Sequence, residues 1–270
     1  MSTDPAAVPP PLILLGVSGH DPTGGSTVTA RVQLAIRGQP IRFEITVPTA
    51  PTRLREMLPV FQGLTDAIVE IGARDVEREG GGVSCRKGCG ACCRQPVPIS
   101  ESEAHAIREL VDGLLEPRRS VVRARFERAR VRLAEAGLLE PFEHPVPMAA
   151  AQKQALAITY FRLGIPCPFL EDESCSIHAD RPVACREYLV SSPAVHCAAP
   201  TPETVHVVSL PAKVSGILRA MDRPASTNRL GWLALAVALD WTEARFEEPP
   251  PRPGPAWVEE FFRRLAIPEG

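Results

Sequence analysis

The residues best suited to chemistry in this chain are its eight cysteines, which fall into two short segments. The first segment, Cys85–Cys93, reads Cys-x-x-x-Cys-x-x-Cys-Cys, and the second, Cys167–Cys197, holds the other four. Thiolates two or three residues apart on a tight turn can reach one small metal centre, which scattered core cysteines cannot. The predicted metal ligands are Cys85, Cys89, Cys92, Cys93, Cys167, Cys175, Cys185 and Cys197.

The neighbours of these cysteines favour a metal site. Gly88 and Gly90 flank Cys89, and glycines let the backbone wrap closely around a small centre. Cys92 and Cys93 are adjacent, and in an extended chain their side chains would point apart and serve different sites or roles. Basic side chains near the cysteines can offset thiolate charge and lower the thiol pKa values. They are Arg86, Lys87, Arg94, Arg181 and Arg186.

Other polar residues among the later cysteines have ordinary structural interpretations. We expect His178 and His196 to hydrogen-bond loop carbonyls, although ligation by either remains the alternative. Asp180 is expected to cap a short helix that carries Cys185. Tyr188 is expected to lie in the core, with an active-site position as the alternative.

The same segments resemble the YkgJ-like cysteine-cluster family, known as CxxCxxCC, a zinc- or iron-chelating domain. The resemblance covers about 85–200, and it departs from the family in having three residues between Cys85 and Cys89. It implies metal chelation, with an iron–sulfur centre in the related flagellin lysine methylases. The ligands it implies are Cys89, Cys92, Cys93, Cys167, Cys175 and Cys185. The residues that carry it are Gly88–Cys93, Ser100–Glu103, Cys167–Leu170 and Cys175–Arg186.

The number of thiols bears on the kind of metal. A zinc ion or a [4Fe-4S] cluster needs about four protein ligands, so eight cysteines exceed one such site. Either there are two sites, or some cysteines support the ligands or act as redox partners. All-thiol ligation suits zinc and iron–sulfur almost equally. The excess of thiols and the related methylases favour an iron–sulfur cluster, [4Fe-4S], with zinc as the alternative cofactor.

A second family shares part of the cysteine spacing. Cys85, Cys89 and Cys92 have the spacing of radical SAM enzymes, which usually carry an aromatic residue where this chain has Ala91. Their motif also follows a barrel strand, whereas helical patterns follow here. The cysteine-cluster resemblance therefore takes precedence.

Composition and charge limit the classes of partner and the cellular compartment that we expect for this protein. With 270 residues and a formal charge of −2, the chain has no basic excess that would suggest nucleic acid. The arginines of 118–132 alternate with acidic and apolar positions, which is typical of a solvated helix face. Leu12–Val17 is too short for a signal peptide, and Trp232–Leu239 is too short to span a bilayer. We expect a soluble, cytoplasmic protein with reduced cysteines, no membrane contact and an unidentified protein partner at most.

Hydrophobic periodicity predicts a mainly α fold with a small N-terminal β-hairpin and irregular metal-binding loops between helices. Apolar residues alternate along 28–36 and 41–47, which predicts a hairpin with one buried face. A helix to about Arg78 follows, and Ser100–Glu103 has the pattern of a capping box. Val205–Leu210 is expected to be a strand, and later helices are expected at about 212–222, 228–245 and 256–265.

The expected organisation has four segments: a flexible lead-in (1–27), the hairpin with its helix (28–80), the cysteine-cluster domain (81–200), and a C-terminal helical segment packing on it (201–270).

Three functions remain open. The first is a redox or accessory protein that holds an iron–sulfur cluster. The second is a metalloenzyme related to protein lysine methylases, which requires a cleft beside the cysteines. The third is a zinc-stabilised interaction module whose hairpin edge pairs with a peptide. The sequence shows no persuasive acid–base pair or cofactor-binding glycine motif, so it assigns no reaction and no catalytic residue.

Overall fold

The computed structural model describes residues 17–20, 25–36, 39–144, 146–201, 203–222, 232–244 and 248–265. It is mainly helical with a small N-terminal β part, which confirms the predicted fold class. The described α-helices are α1 Leu58–Arg78, α2 Glu101–Asp112, α3 Arg118–Glu135, α4 Leu139–Glu143, α5 Ala150–Arg162, α6 Val183–Glu187, α7 Val214–Asp222, α8 Ala238–Ala244 and α9 Gly254–Leu265.

The described strands are mostly very short. They pair as a three-stranded sheet, β1-β2-β3, and as two-stranded ladders β4-β9, β5-β8 and β6-β7, all antiparallel. Their bounds are β1 Val17–His20, β2 Ser26–Ile36, β3 Gln39–Pro48, β4 Pro51–Thr52, β5 Pro98–Ile99, β6 Leu170–Glu171, β7 Ser174–Cys175, β8 Leu233–Ala234 and β9 Arg252–Pro253.

The chain groups into two compact units, 1–60 with 251–270, and 61–250. The residues after 201, expected as one segment, are divided between these units. Strand β1 falls within the expected lead-in, most of which lies outside the described residues. The four predicted segments stay a prediction as folding domains.

The sheet of the first unit follows the alternation in the sequence. Ala30 of β2 lies opposite Ile45 of β3, and both side chains are buried, as are those of Val32 and Val47. Successive side chains of a strand point to opposite faces, so these residues line one buried face. The predicted hairpin is confirmed for the described residues, and its turn at 37–38 lies outside them.

Helix α9 completes the first unit. The indole nitrogen of Trp257 donates a hydrogen bond of 2.8 Å to the carbonyl of Thr52 in β4, and Trp257 is buried. Gly254, at the start of α9, lies so close to β3 that an added Cβ would stand 2.8 Å from the Cβ of Val47. Glycine is therefore required where this helix meets the strand.

Helix α3 supplies one wall of the core of the second unit. Val122, Phe126, Ala129 and Leu133 recur at helical spacing and are all buried. Phe126 meets Phe169 edge to face, with ring centroids 5.5 Å apart. This contact anchors the loop that follows the predicted ligand Cys167 to the core.

Helix α2 begins with the predicted capping box. The Ser100 hydroxyl accepts a hydrogen bond from the Glu103 amide at 3.2 Å, and the Glu103 carboxylate accepts one from the Ser100 amide at 2.8 Å. Asp222, at the end of α7, accepts bonds from the amide of Ser102 at 3.0 Å and from its hydroxyl at 2.6 Å. Two helices thus meet at one buried N-terminus.

Two late elements differ from the sequence expectation. The expected strand Val205–Leu210 contributes only an isolated bridge, in which Val207 pairs with Val190. The helix expected at 228–245 is interrupted, because β8 and a 3₁₀ turn at Leu235–Val237 precede α8. Residues 228–231 lie outside the described residues. In the described part of the chain, no helix is long and apolar enough to cross a bilayer.

Candidate metal centre

The first cysteine segment leaves α1 through a glycine-rich loop and is held at its start by a backbone contact. The amide of Ser84 donates to the carbonyl of Val190 at 2.9 Å, which places Cys85 beside the second cysteine segment. A turn follows, in which the amide of Cys89 donates to the carbonyl of Arg86 at 3.1 Å. Gly88 has a φ of 87° in this turn, a left-handed conformation that favours glycine.

Gly90 is required for a different reason, which is space. A Cβ added at Gly90 would stand 2.9 Å from Cδ1 of Leu170 and 3.1 Å from Cα of Glu173. The β6-β7 hairpin therefore packs directly on the backbone next to Cys89. The predicted wrapping of the chain at Gly88 and Gly90 agrees with this geometry.

Cys92 and Cys93 lie in a 3₁₀ turn, Ala91–Arg94, and not in extended chain. The neighbouring Cys93 thiol is the largest cause of a raised pKa for Cys92, followed by burial. The expectation that the two side chains point apart assumed extended chain, and the structure has a turn there instead. A tight turn rotates successive side chains by about 120°, which leaves neighbours able to meet.

The second cysteine segment docks on the first through the backbone. The amide of Cys167 donates a short hydrogen bond, 2.7 Å, to the carbonyl of Cys93. Leu170 then folds back, its amide donating to the carbonyl of Cys167 at 2.9 Å, and it pairs with Cys175 in the β6-β7 hairpin. These contacts bring two predicted ligands, Cys93 and Cys167, together although more than seventy residues of chain separate them.

The short helix α6 carries Cys185 and has its N-terminus fixed by another helix. The amide of Val183 donates to the buried carboxylate of Glu103 in α2 at 2.8 Å. Asp180 was expected to cap this helix, but it lies in a 3₁₀ turn, and α6 has no cap from its own flanking side chains. The cap comes from a distant residue because the helix start is buried against α2.

Arg186, expected to offset thiolate charge, has a structural role. Its side chain is buried and forms an ion pair with Asp66 of α1 at 2.7 Å. It also donates to the carbonyls of Arg181, at 3.1 Å, and Ala179. Arg186 thus holds the loop before Cys185 against α1. Asp66 could not be identified from sequence, because nothing local marks it as the partner.

The Cys92 thiol raises the pKa values of thiols in both cysteine segments. Burial raises the pKa values of Cys85 and Cys197, and the Cys92 thiol raises both further. Cys89 acts on the same two thiols in the same direction. These four cysteines form one neighbourhood, and Cys197 joins it from its 3₁₀ turn at Ala194–Ala198.

Cys167, Cys175 and Cys185 influence one another and are influenced by Cys92. Burial raises the pKa of Cys167 to about 12 and raises that of Cys185, with Cys92 and Cys175 adding to both effects. Burial also raises the pKa of Cys175, again with a contribution from Cys92. Thiols this close repel one another when ionised, and a cation among them would reverse the effect.

All eight cysteines are free and belong to the second unit. Within the described ranges, no group of three or more Cys, His, Asp or Glu side chains has the arrangement that would hold a metal ion. The donor set is nevertheless of the right chemistry, because thiolates suit zinc and iron–sulfur clusters.

Arg181 is the cation that faces these thiols. Its guanidinium opposes the pKa-raising effects of burial at Cys85 and Cys175, and it acts in the same direction at Cys92. Its Nε is buried and has no hydrogen-bond partner among the residues that the structure describes. The guanidinium of Arg94, by contrast, donates hydrogen bonds of 2.6 and 2.9 Å to the two carboxylate oxygens of Glu173. Arg86 and Lys87 are exposed.

The histidines and tyrosines complete the surroundings. Nδ1 of His196 is 2.9 Å from the carbonyl of Thr204, which agrees with the expected loop contact, while His178 is exposed. Tyr188 is only half-buried and accepts a hydrogen bond from Gln95 at 3.2 Å. Its pKa is raised by burial and then by nearby thiols, so the expected core position is wrong. Tyr160, which the sequence did not single out, is buried, and its pKa is raised by burial and by Cys167.

The helical second unit carries all eight free thiols on its loops and short turns, and their chemistry suits a metal centre. Residues 84–204 match the model of the family described as "CxxCxxCC: Putative zinc- or iron-chelating domain". The match confirms the resemblance drawn from the cysteine pattern and supports metal binding by this region. No curated protein and no solved structure matches the chain.

Proposed function

We propose that the thiols hold an iron–sulfur cluster, [4Fe-4S], and that the protein has a redox or accessory role. The observation that carries this proposal is that the Cys92 thiol raises the pKa values of thiols in both cysteine segments. The proposed ligands are drawn from Cys85, Cys89, Cys92, Cys93, Cys167, Cys175, Cys185 and Cys197.

Two features favour iron–sulfur over zinc. A closed zinc site uses four thiolates, and more than four thiols are gathered here. A cluster also contains inorganic sulfides that accept hydrogen bonds, and such bonds help to set its reduction potential. The buried, unpaired Nε of Arg181 is a donor of the kind that a sulfide or thiolate of an anionic cluster would accept from. When bound, a cluster would supply one-electron redox chemistry.

The test is anaerobic purification of the whole chain, followed by a visible spectrum and iron, zinc and sulfide analysis on the same sample. We expect a brown protein with several irons and acid-labile sulfide. A colourless protein with stoichiometric zinc would reject the cluster and favour a zinc-stabilised interaction module. Free thiols with neither metal would reject metal binding altogether.

A variant pair makes the test specific to the thiols. Cys92→Ser removes the thiol that raises the pKa values of thiols in both segments, and we expect it to lose most of the bound metal. Ser84→Ala alters a half-buried side chain in the same segment without touching a thiol, so its metal content should equal that of the parent chain. Equal metal in Cys92→Ser would exclude Cys92 as an essential ligand.

A second candidate function is a metalloenzyme related to protein lysine methylases, because Cys167 lines a cavity beside the thiols. Such an enzyme would transfer a methyl group to the amine of a lysine side chain. The discriminating assay supplies S-adenosylmethionine and a lysine-containing protein to the anaerobic, metal-loaded chain. Methylated lysine would establish the enzyme, and its absence with a redox-active centre present would favour the first proposal.

A further inference from the structure

A cavity of about 320 Å³ lies between helix α3 and the loop that leads to Cys167. Three arginines of α3, Arg125, Arg128 and Arg132, form one side of it. Their spacing places them on one face of the helix, because residues three, four and seven apart lie above one another. The sequence pattern suggested a solvated arginine face here, and the exposure of Arg128 and Arg132 agrees with it. The loop around Cys167 contacts this face through hydrogen bonds to Arg125 and Arg132.

Two of the three arginines are held in place by the loop. Arg125 donates to the carbonyl of Pro168 at 3.1 Å and pairs with Glu171 at 2.9 Å. Arg132 donates to the carbonyl of Leu163. These bonds orient the guanidinium groups before any ligand arrives, which lowers the entropic cost of binding.

The positive charge of these arginines is only partly paired with carboxylates in the part of the chain that the structure describes. Glu171 pairs with Arg125, but neither Arg128 nor Arg132 forms an ion pair within the described part of the chain. Three arginines therefore line the cavity, and one of them is paired with a carboxylate among the described residues. Guanidinium groups bind carboxylates and phosphates in a planar, forked geometry. The charge of the site thus selects an anion.

The rest of the lining is apolar. Ala129 and Ile165 are buried, and Pro166 and Leu170 complete this surface. Ligand pockets typically measure about 300 to 1,000 Å³, so this cavity is at the small end. Its size and lining suit an organic anion that has one acidic group and a compact apolar part.

We propose that this arginine-lined cavity binds a small amphipathic organic anion, a carboxylate or a phosphate, directly beside Cys167. The acidic group pairs with Arg128 and Arg132, and the apolar part lies on Ala129 and Ile165. Cys167 lines the same cavity, so the bound anion stands next to the thiol cluster. The proposal does not depend on which metal the thiols hold.

The test measures dissociation constants of the full chain for benzoate, phenyl phosphate and benzamide by ligand-observed nuclear magnetic resonance at low ionic strength. Benzamide has nearly the shape of benzoate without its charge. We expect both anions to bind saturably and benzamide to bind at least tenfold more weakly. Whichever anion binds more tightly identifies the acidic group that the site prefers.

Two charge-matched variants locate the site. Arg128 is exposed and has no ion pair to lose among the described residues, so Arg128→Gln should fold normally. We expect this variant to bind both anions roughly five- to tenfold more weakly than the parent chain. Arg74→Gln removes the same charge from an exposed position on α1 and should leave binding unchanged. The proposal is overturned by an absence of saturable binding, by equal affinity for benzamide, or by unchanged anion binding in Arg128→Gln.

Discussion

Nη1 of Arg186 lies 2.7 Å from one carboxylate oxygen of Asp66 and 3.0 Å from the other, although 120 positions separate the two residues. Arg186 is 7% exposed, whereas the side chain of Asp66 is 54% exposed, so the arginine is the buried partner. Because Arg186 also binds the loop before Cys185, this ion pair ties a predicted ligand to helix α1.

Arg186→Met should lower the free energy of unfolding by about 2 to 3 kcal/mol, because it removes charged hydrogen bonds and leaves the carbonyls of Arg181 and Ala179 without this donor. Urea denaturation measures the change. Arg78→Met, which breaks an exposed pair with Asp75, is the control and should cost under about 1 kcal/mol. Similar losses in both variants would contradict a structural role for Arg186.

Glu103→Ala should lower the free energy of unfolding by about 2 to 4 kcal/mol. The buried carboxylate accepts from the amides of Ser100 and Val183, and both donors would lose their partner. Glu109→Ala on the exposed side of the same helix should change stability by less than about 0.5 kcal/mol. A loss in Glu103→Ala no larger than that of the control would show that the cap of α6 is dispensable.

Gly90→Ala should destabilise the second unit by about 1 to 3 kcal/mol, because the new methyl group would overlap Leu170 and the backbone of Glu173. Gly82→Ala, in the same segment, meets nothing within 4 Å and has no requirement for positive φ. It should be neutral or slightly stabilising. Thermal unfolding of the two variants measures the difference, and equal melting temperatures would refute the close approach at Gly90.

The raised pKa of Asp222 should make the stability of the fold depend on pH. Burial raises the pKa of Asp222 to about 7, and the carboxyls of Glu101 and Glu103 add to the effect despite hydrogen bonds from Ser102. The folded state therefore keeps a proton that the unfolded chain releases near pH 4, so the contribution of Asp222 to stability falls as pH rises from about 4 to 7. The steepest slope is about 1.4 kcal/mol per pH unit.

Asp222→Asn removes this titration while keeping polar groups for Ser102. The free energy of unfolding of the variant minus that of the parent chain should therefore be larger at pH 7.5 than at pH 5. Chemical denaturation at both pH values measures the two differences. A constant difference would mean that Asp222 does not titrate in this window.

Arg181→Met should reduce the metal retained per chain several-fold, since the guanidinium faces Cys85, Cys92 and Cys175 and favours their thiolate forms. Arg86→Met removes an exposed arginine next to Cys85 and should retain the metal. Metal analysis after desalting measures both, with circular dichroism to confirm folding. Retention as complete in Arg181→Met as in Arg86→Met would show that Arg181 does not support the centre.

The sequence by itself determined what depends on neighbours along the chain. The alternation that buries Ala30 and Ile45, the capping box of Ser100 and Glu103, and the need for glycine at position 88 follow from local periodicity, local hydrogen bonds and backbone sterics. The thiol chemistry and the family resemblance also follow from spacing alone, which is why the match to residues 84–204 was foreseen.

Only the tertiary structure determined which residues far apart in the chain contact each other. Asp66 meets Arg186, Glu103 caps the helix of Cys185, and the carbonyl of Cys93 receives the amide of Cys167 only because helices pack their buried faces together. Each contact joins residues far apart in the chain, whose pairing is selected by the packing of the whole unit and leaves no local signal.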